Sequence, residues 1–538
     1  MTGHRTVVLL AVALAGCAHP PSAPASGALE ALEARWQTLR YWDDQRRLIE
    51  SRGADATPDG IPSRAVQESL TVWRGRVAAM LRTAETVPLA RPDQPALDAM
   101  REGWRAALSG DSARDDSQAA AGRLAALGDS ILAAYGRAAN RVVVERDTLN
   151  RLAILGLLSR TDDSVRRERL FLALQPTWQS VNGDGLPGSP YRRLLRLRHE
   201  TWGDTASPID RKGPAFGLST PALEQWLVTA LERWRGVQPD SLVEPWDWYH
   251  LTGEASRRLS PRIPTIHDIQ RVNNAFYRGL GADPLRLRVR YDLAARPEKY
   301  PVAFTDFGVR NRWMDGRFVP GEPWVFTSYL GGGLDNLAEL LHESGHAIHI
   351  AAIRTRPAFM DWPDNDTFTE ALADLPAMEL YEPAWQRRFL GDSAPLAASF
   401  RAKYAGIIFD IAWALFEIRV HRDPTADPNL VWTEITRDYL RIRPHPEWSW
   451  WAIRGQLLDA PGYLINYALG AFVVADLRAT IRARRGPAAW QDPDMYGWLI
   501  ERLYRFGLER PARAVLEDLL GHPLRPDALL DDLERIRP

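Results

Sequence analysis

The sequence predicts a mainly α-helical fold: one large helical body with a small β-sheet beside a central histidine-glutamate motif. Three observations carry this reading. Apolar residues recur at helical spacing, as in Leu29, Leu32, Trp36 and Leu39, and again in Leu223, Trp226, Leu227 and Leu231. Strand-like runs are few, and the clearest lie just before the motif. Neither an internal repeat nor a long linker follows residue 28, so residues 29–538 read as a single domain.

The N-terminus reads differently. "MTGHRTVVLLAVALAGCAHPPSAPASG" carries His4 and Arg5, an apolar run from Val7 to Leu14, and then Ala15-Gly16-Cys17. The run is too short to span a bilayer and has the shape of a secretory signal. Leu14-Ala15-Gly16-Cys17 has the form of a bacterial lipoprotein signal, so residues 1–16 are expected to be removed and Cys17 lipidated. Residues 17–28 then form a flexible tether, and the protein is expected to be exported and anchored to the membrane of the cell envelope. Cys17 is the single cysteine, so no disulfide is available and core packing must hold the exported protein together.

Composition bounds the partners. The chain has 538 residues, 45% hydrophobic and 25% charged, with a formal net charge of −1. That balance argues against a nucleic-acid binder or a polybasic membrane patch. Positive charge is nearly all arginine, with lysine only at Lys212, Lys299 and Lys403.

Helical stretches are separated by Gly/Pro loops such as "NGDGLPGSP" and "DRKGPAFG". Three strands are expected: the alternating "LRLRVRYDL" from Leu285 to Leu293, "PVAFTDF" and "PWVFTSYL". Next comes "LGGGLDNLAELLHESGHAIHI", where glycines end the strand and Asp335 is the expected helix N-cap. His342 and His346 lie one turn apart on one face, so both imidazoles can reach one zinc ion. Glu343 is rotated about 100° from His342 and can reach a water on the metal without ligating it, as a general base must. Gly345 leaves room for backbone beside the site. The metzincin extension is excluded, because its glycine and histidine positions hold His349 and Ala352.

The third ligand lies further on. "DNDTFTEALADLPAMEL" reads as a second helix, capped near Asp366 or Thr367, with Glu370 placed 24 residues after His346. Asp374 follows one turn later on the same face. Two carboxylates among Phe368, Ala371, Leu372 and Leu375 are odd on a core-facing helix. They make sense if Glu370 binds zinc and Asp374 accepts the spare N–H of a ligand histidine. The alternative is an exposed acidic face.

His342-Glu343-Ser344-Gly345-His346, followed by Phe368-Thr369-Glu370-Ala371-Leu372-Ala373-Asp374, resembles the angiotensin-converting enzyme family of zinc peptidases. The related thimet oligopeptidase and neurolysin family is also similar, through Gly345, His349 and "EPWDWYHLTGEASRRL" from Glu244. The resemblance spans about residues 245–475. It implies a large helical bundle split by a deep channel, with one zinc ion at its floor. It also implies hydrolysis of short peptides with release of C-terminal dipeptides. In "WWAIRGQLLDAPGYLINYALGAF" it implies an oxyanion-stabilising tyrosine, best matched by Tyr467, with Tyr463 in reserve. The family's Lys-x-His before that tyrosine is replaced by Arg454-Gly455-Gln456, where Arg454 could hold a substrate carboxylate and Gln456 could donate a hydrogen bond. Asn466 stands where the converting enzymes carry a chloride-linked arginine. The strand "PVAFTDF" is expected to pair with the substrate backbone. Two rival readings stay open: an endo-acting oligopeptidase of the thimet type, and a catalytically inactive peptide-binding lipoprotein.

Overall fold

The computed structural model describes residues 27–536, apart from 85–93, 95, 99, 102–115, 204–206, 297–298, 300–301, 315–316 and 356–359. Cys17, the expected signal and most of the expected tether lie outside the described residues. The remainder is mainly helical, with three small sheets.

Apolar side chains gather into two clusters. The smaller belongs to the N-terminal helices Gly27–Arg52 and Ser63–Ala84, which bury Leu29, Leu32, Trp36 and Leu39 against Val66, Leu70 and Val77. These positions follow the helical period, so each helix turns one apolar stripe toward the other. The larger cluster fills the main body around the helices Leu396–Arg422 and Tyr463–Arg485. The second of these is long and apolar enough to cross a membrane by composition, yet 83% of its apolar window is buried inside the protein. A helix apolar on nearly all sides is what the centre of a large helical body requires.

The strands are β1 (Val142–Val144), β2 (Asp147–Leu149), β3 (Arg290–Ala294), β4 (Phe304–Val309), β5 (Arg312–Met314), β6 (Arg317–Val319) and β7 (Glu322–Tyr329). β3, β7 and β4 form one sheet in that order, with β3 parallel and β4 antiparallel to β7. β1–β2 and β5–β6 are short antiparallel pairs that the alternation pattern did not reveal. The expected strand from Leu285 is a turn as far as Arg288, and β3 begins only at Arg290. The cause is local: the Asp283 carboxylate accepts from the Leu285 N–H, and Arg288 sits at φ +59°.

Ion pairs tie the N-terminal helices to the sheet. Arg47 lies 3.0 Å from Asp306 on β4. Arg310, just past β4, reaches Asp44 at 3.2 Å and Asp361 at 2.7 Å.

Candidate metal centre

The motif helix runs from Leu334 to Ala352. Its N-cap is Gly333, at φ +112°, and not the expected Asp335. Few other residues tolerate that φ, so glycine lets the chain turn from β7 into the helix. Asp335 instead lies in the first turn, where its carboxylate accepts from the Ser256 hydroxyl at 3.0 Å. The second helix, Asp366–Ala377, is capped by Asn365, whose side chain accepts from the Phe368 N–H at 3.1 Å. Such a cap contributes about 1 kcal/mol.

Gly345 sets how closely these two helices approach. A Cβ there would lie 2.4 Å from the Ala373 carbonyl oxygen and 2.8 Å from the Ala373 Cα. Both are backbone atoms and cannot swing aside, so only glycine permits this spacing.

The close approach brings three donors together. His342 Nε2 lies 3.2 Å from Glu370 Oε2, and His346 Nε2 lies 3.6 Å from the same oxygen. Ligand atoms of His342, His346 and Glu370 all fall within 4.8 Å of one another. Glu370 Oε2 is buried and has no hydrogen-bond partner. A tetrahedral zinc ion with bonds of about 2.0–2.1 Å places its donors roughly 3.3–3.4 Å apart. The spacing and the orphaned oxygen therefore fit a metal ion with two imidazoles and one carboxylate. Burial alone would raise the Glu370 pKa, but His346 and His342 outweigh it and hold the carboxylate well below its ordinary range.

Neighbours fix each donor. Asp374 Oδ1 lies 2.7 Å from His342 Nδ1, which directs Nε2 toward Glu370. The Tyr463 hydroxyl donates to Glu370 Oε1 at 2.7 Å, on the oxygen turned away from the histidines. The Tyr291 hydroxyl on β3 lies 3.2 Å from Ser344 Oγ, and Tyr277 donates to the Leu341 carbonyl at 2.5 Å. Both brace the motif helix against its surroundings.

Glu343 is buried on the sheet side of the helix. Thr305 Oγ1 on β4 lies 2.8 Å from the Glu343 carbonyl oxygen and 2.7 Å from Glu343 Oε2. The expected role of this strand concerned substrate alone, and no local pattern marked Thr305 as a partner of Glu343.

Tyr463 and Tyr467 open the helix Tyr463–Arg485, their ring centroids 5.3 Å apart. The Tyr467 hydroxyl makes no hydrogen bond among the described residues. Arg454 stands over the Tyr467 ring at 5.6 Å and the Trp413 ring at 5.1 Å. It also pairs with Asp410 at 2.8 Å, a partner the sequence did not announce. Burial raises the Asp410 pKa against the pull of Arg454, and the charges of Asp374 and Glu370 add to the rise. The Arg454–Asp410 pair thus lies within the electrostatic reach of the centre. Gln456 begins a short helix, Gln456–Asp459, and no hydrogen bond or ion pair joins it to the three donors among the described residues. His349 is fully buried between the rings of Trp362 and Tyr504, at 5.2 and 5.1 Å.

No family model and no curated protein matches this sequence. Solved structures do match in fold. A Trypanosoma cruzi protein, metallocarboxypeptidase 1, superposes with TM-score 0.55 at 15% identity, covering 95% of this chain and 99% of that one. PZ peptidase A with an inhibitor gives TM-score 0.57 at 14% identity, covering 95% and 96%. A Pyrococcus furiosus carboxypeptidase gives 0.56 at 15%, covering 95% and 99%. At this identity the likeness establishes a shared fold over nearly the whole chain.

Proposed function

We propose that this protein is a zinc-dependent peptidase that shortens small, unstructured peptides from their C-terminus. The observation that carries the reading is the donor spacing: two imidazole nitrogens at 3.2 and 3.6 Å from one buried, unpartnered carboxylate oxygen. The names of the fold neighbours, two carboxypeptidases and a peptidase, support the same class of activity.

In this reading His342, His346 and Glu370 hold the ion. Zinc bound there would polarise the scissile carbonyl and acidify a water at the open coordination position. Glu343 takes the proton of the attacking water and returns it to the leaving amine. Thr305 fixes the Glu343 carboxylate for this transfer by its hydrogen bond of 2.7 Å. The Tyr467 hydroxyl, with no partner among the described residues, donates to the oxyanion that develops on the carbonyl. Arg454, its charge shared with Asp410, holds the free C-terminal carboxylate of the substrate.

Dipeptide release follows from the converting-enzyme resemblance. Release of single residues is the second reading, and the carboxypeptidase names among the neighbours favour it. The products distinguish them: mass spectrometry of a digested peptide ladder shows steps of two residues or of one. Internal fragments would point instead to an endo-acting oligopeptidase. We further propose that the chain is exported and anchored by a lipid on Cys17. Cys17→Ser is expected to move the protein out of the membrane fraction, and an unmodified mature N-terminus at another residue would remove the claim.

The test of the chemistry is Glu343→Gln. It keeps the three metal donors and removes the base. The variant is expected to bind zinc normally while losing at least roughly 1000-fold in kcat, and wild-type turnover would exclude the assignment.

A further inference from the structure

Asp335, Glu339 and Glu343 stand four residues apart on the motif helix, so their carboxylates form one stripe along it. The stripe leads into a cavity of about 630 Å³ beside the helix, lined by Asp335 and Glu339. Neither carboxylate makes an ion pair among the described residues. Arg160 also lines the cavity, with its Nε given to the Gly156 carbonyl at 3.0 Å, and no salt bridge forms from it to either acid. Tyr249, Phe409 and Leu152 line it as well.

A second observation points to an occupant. Tyr329 is only 5% exposed and lines the same cavity. Its hydroxyl lies against the Glu339 carboxylate but makes no well-formed hydrogen bond among the described residues. A buried hydroxyl without a well-formed hydrogen bond is uncommon, and its oxygen can accept from an incoming N–H donor.

We infer that this cavity receives a cationic side chain, lysine or arginine, from the substrate residue next to the scissile bond. The inference rests on the peptidase reading above. Glu339 lies one helical turn from Glu343, about 6 Å along the axis, within the reach of a long side chain leaving a backbone held at the metal centre. The aliphatic stem of such a side chain would run along Leu152 and the aromatic faces, and its charge would meet Glu339 and the Tyr329 hydroxyl. Asp335, further out, adds negative potential at the entrance. A neutral side chain of equal length would fill the same space and leave both carboxylates unpaired. Glu339 is thus a specificity-determining residue of the centre.

The test compares peptides that differ only by lysine or norleucine at either residue flanking the scissile bond. Binding is measured by calorimetry to the zinc-loaded Glu343→Gln protein, and kcat/KM is measured on wild type. Lysine at one of the two positions is expected to improve both binding and kcat/KM by roughly 10-fold or more. Glu339→Gln should bring that ratio close to one while leaving the norleucine peptide nearly unchanged, and Asp335→Asn should reduce it in part. A general structural loss would depress both peptides together. If both peptides bind and are cleaved alike at both positions, the peptidase reading stands and this inference is overturned. If neither peptide binds or is cleaved, both fall.

Discussion

Tyr463 donates its hydroxyl proton to Glu370 Oε1 at 2.7 Å, leaving Oε2 to face His342 and His346. Tyr467, one turn further along the same helix, carries no such bond. The two tyrosines therefore stand in different surroundings, and the roles proposed for them are separable. Tyr463→Phe is expected to weaken zinc binding by roughly 10- to 100-fold, because it frees the carboxylate that Oε2 must present. Tyr467→Phe should leave zinc affinity intact and lower kcat by roughly 100- to 1000-fold. Competition with a chelating dye and steady-state kinetics measure the two quantities. The reverse pattern would exchange the assignments.

Gly345 is the contact through which the two ligand helices meet. Gly345→Ala places a methyl group within 2.4 Å of the Ala373 carbonyl oxygen, so the helices must part. The expected cost is roughly 1–3 kcal/mol in stability. Zinc affinity should fall as well, since Glu370 moves with its helix. Asp374→Asn should weaken zinc by roughly 10- to 100-fold without that loss of stability, because it alters only the hydrogen bond to His342. Equal zinc affinity in wild type and both variants would contradict the geometry.

Burial holds the His349 ring down to about 3, with the neighbouring His346 adding to the shift. In the unfolded chain the ring titrates near its ordinary value of about 6.5. Between these values the unfolded state binds the extra proton, so stability is full above about pH 6.5 and falls as pH drops toward 3. His349→Phe fits between Trp362 and Tyr504 and cannot take up that proton. With chelator present throughout, wild type should lose roughly 2 kcal/mol more than His349→Phe between pH 6 and pH 4. Parallel curves in chemical denaturation would show that the ring does not contribute.

Arg454, proposed to hold the substrate carboxylate, shares its charge with Asp410, so that hold should be moderate. A peptide with a free C-terminus is expected to exceed its C-terminal amide by roughly 10-fold in kcat/KM, and Arg454→Gln should erase most of that difference. Equal cleavage of acid and amide would assign the carboxylate to another group.

The legible parts of the centre are those set by helical period. His342 and His346, and likewise Glu370 and Asp374, share faces because each pair is four residues apart, and period alone fixes that. Thr305 is joined to Glu343 across 38 residues, and Asp410 to Arg454 across 44, so no local pattern encodes either contact. The position of Asp335 misled for a related reason. Aspartate favours N-caps, but Gly333 takes the turn and Ser256 captures the aspartate from a distant helix. The alternation from Leu285 had the right period for a strand, yet the Asp283 turn claimed its first half.

His342, His346 and Glu370 are proposed to hold one zinc ion together. Zinc per chain, measured by elemental analysis after exhaustive dialysis against a weak chelator, tests this most directly. Wild type is predicted to retain one equivalent, and His346→Ala and Glu370→Ala to retain almost none while keeping their helical content. A wild-type protein without stoichiometric zinc, or a Glu370→Ala protein that still holds a full equivalent, would contradict a zinc site built from these three residues.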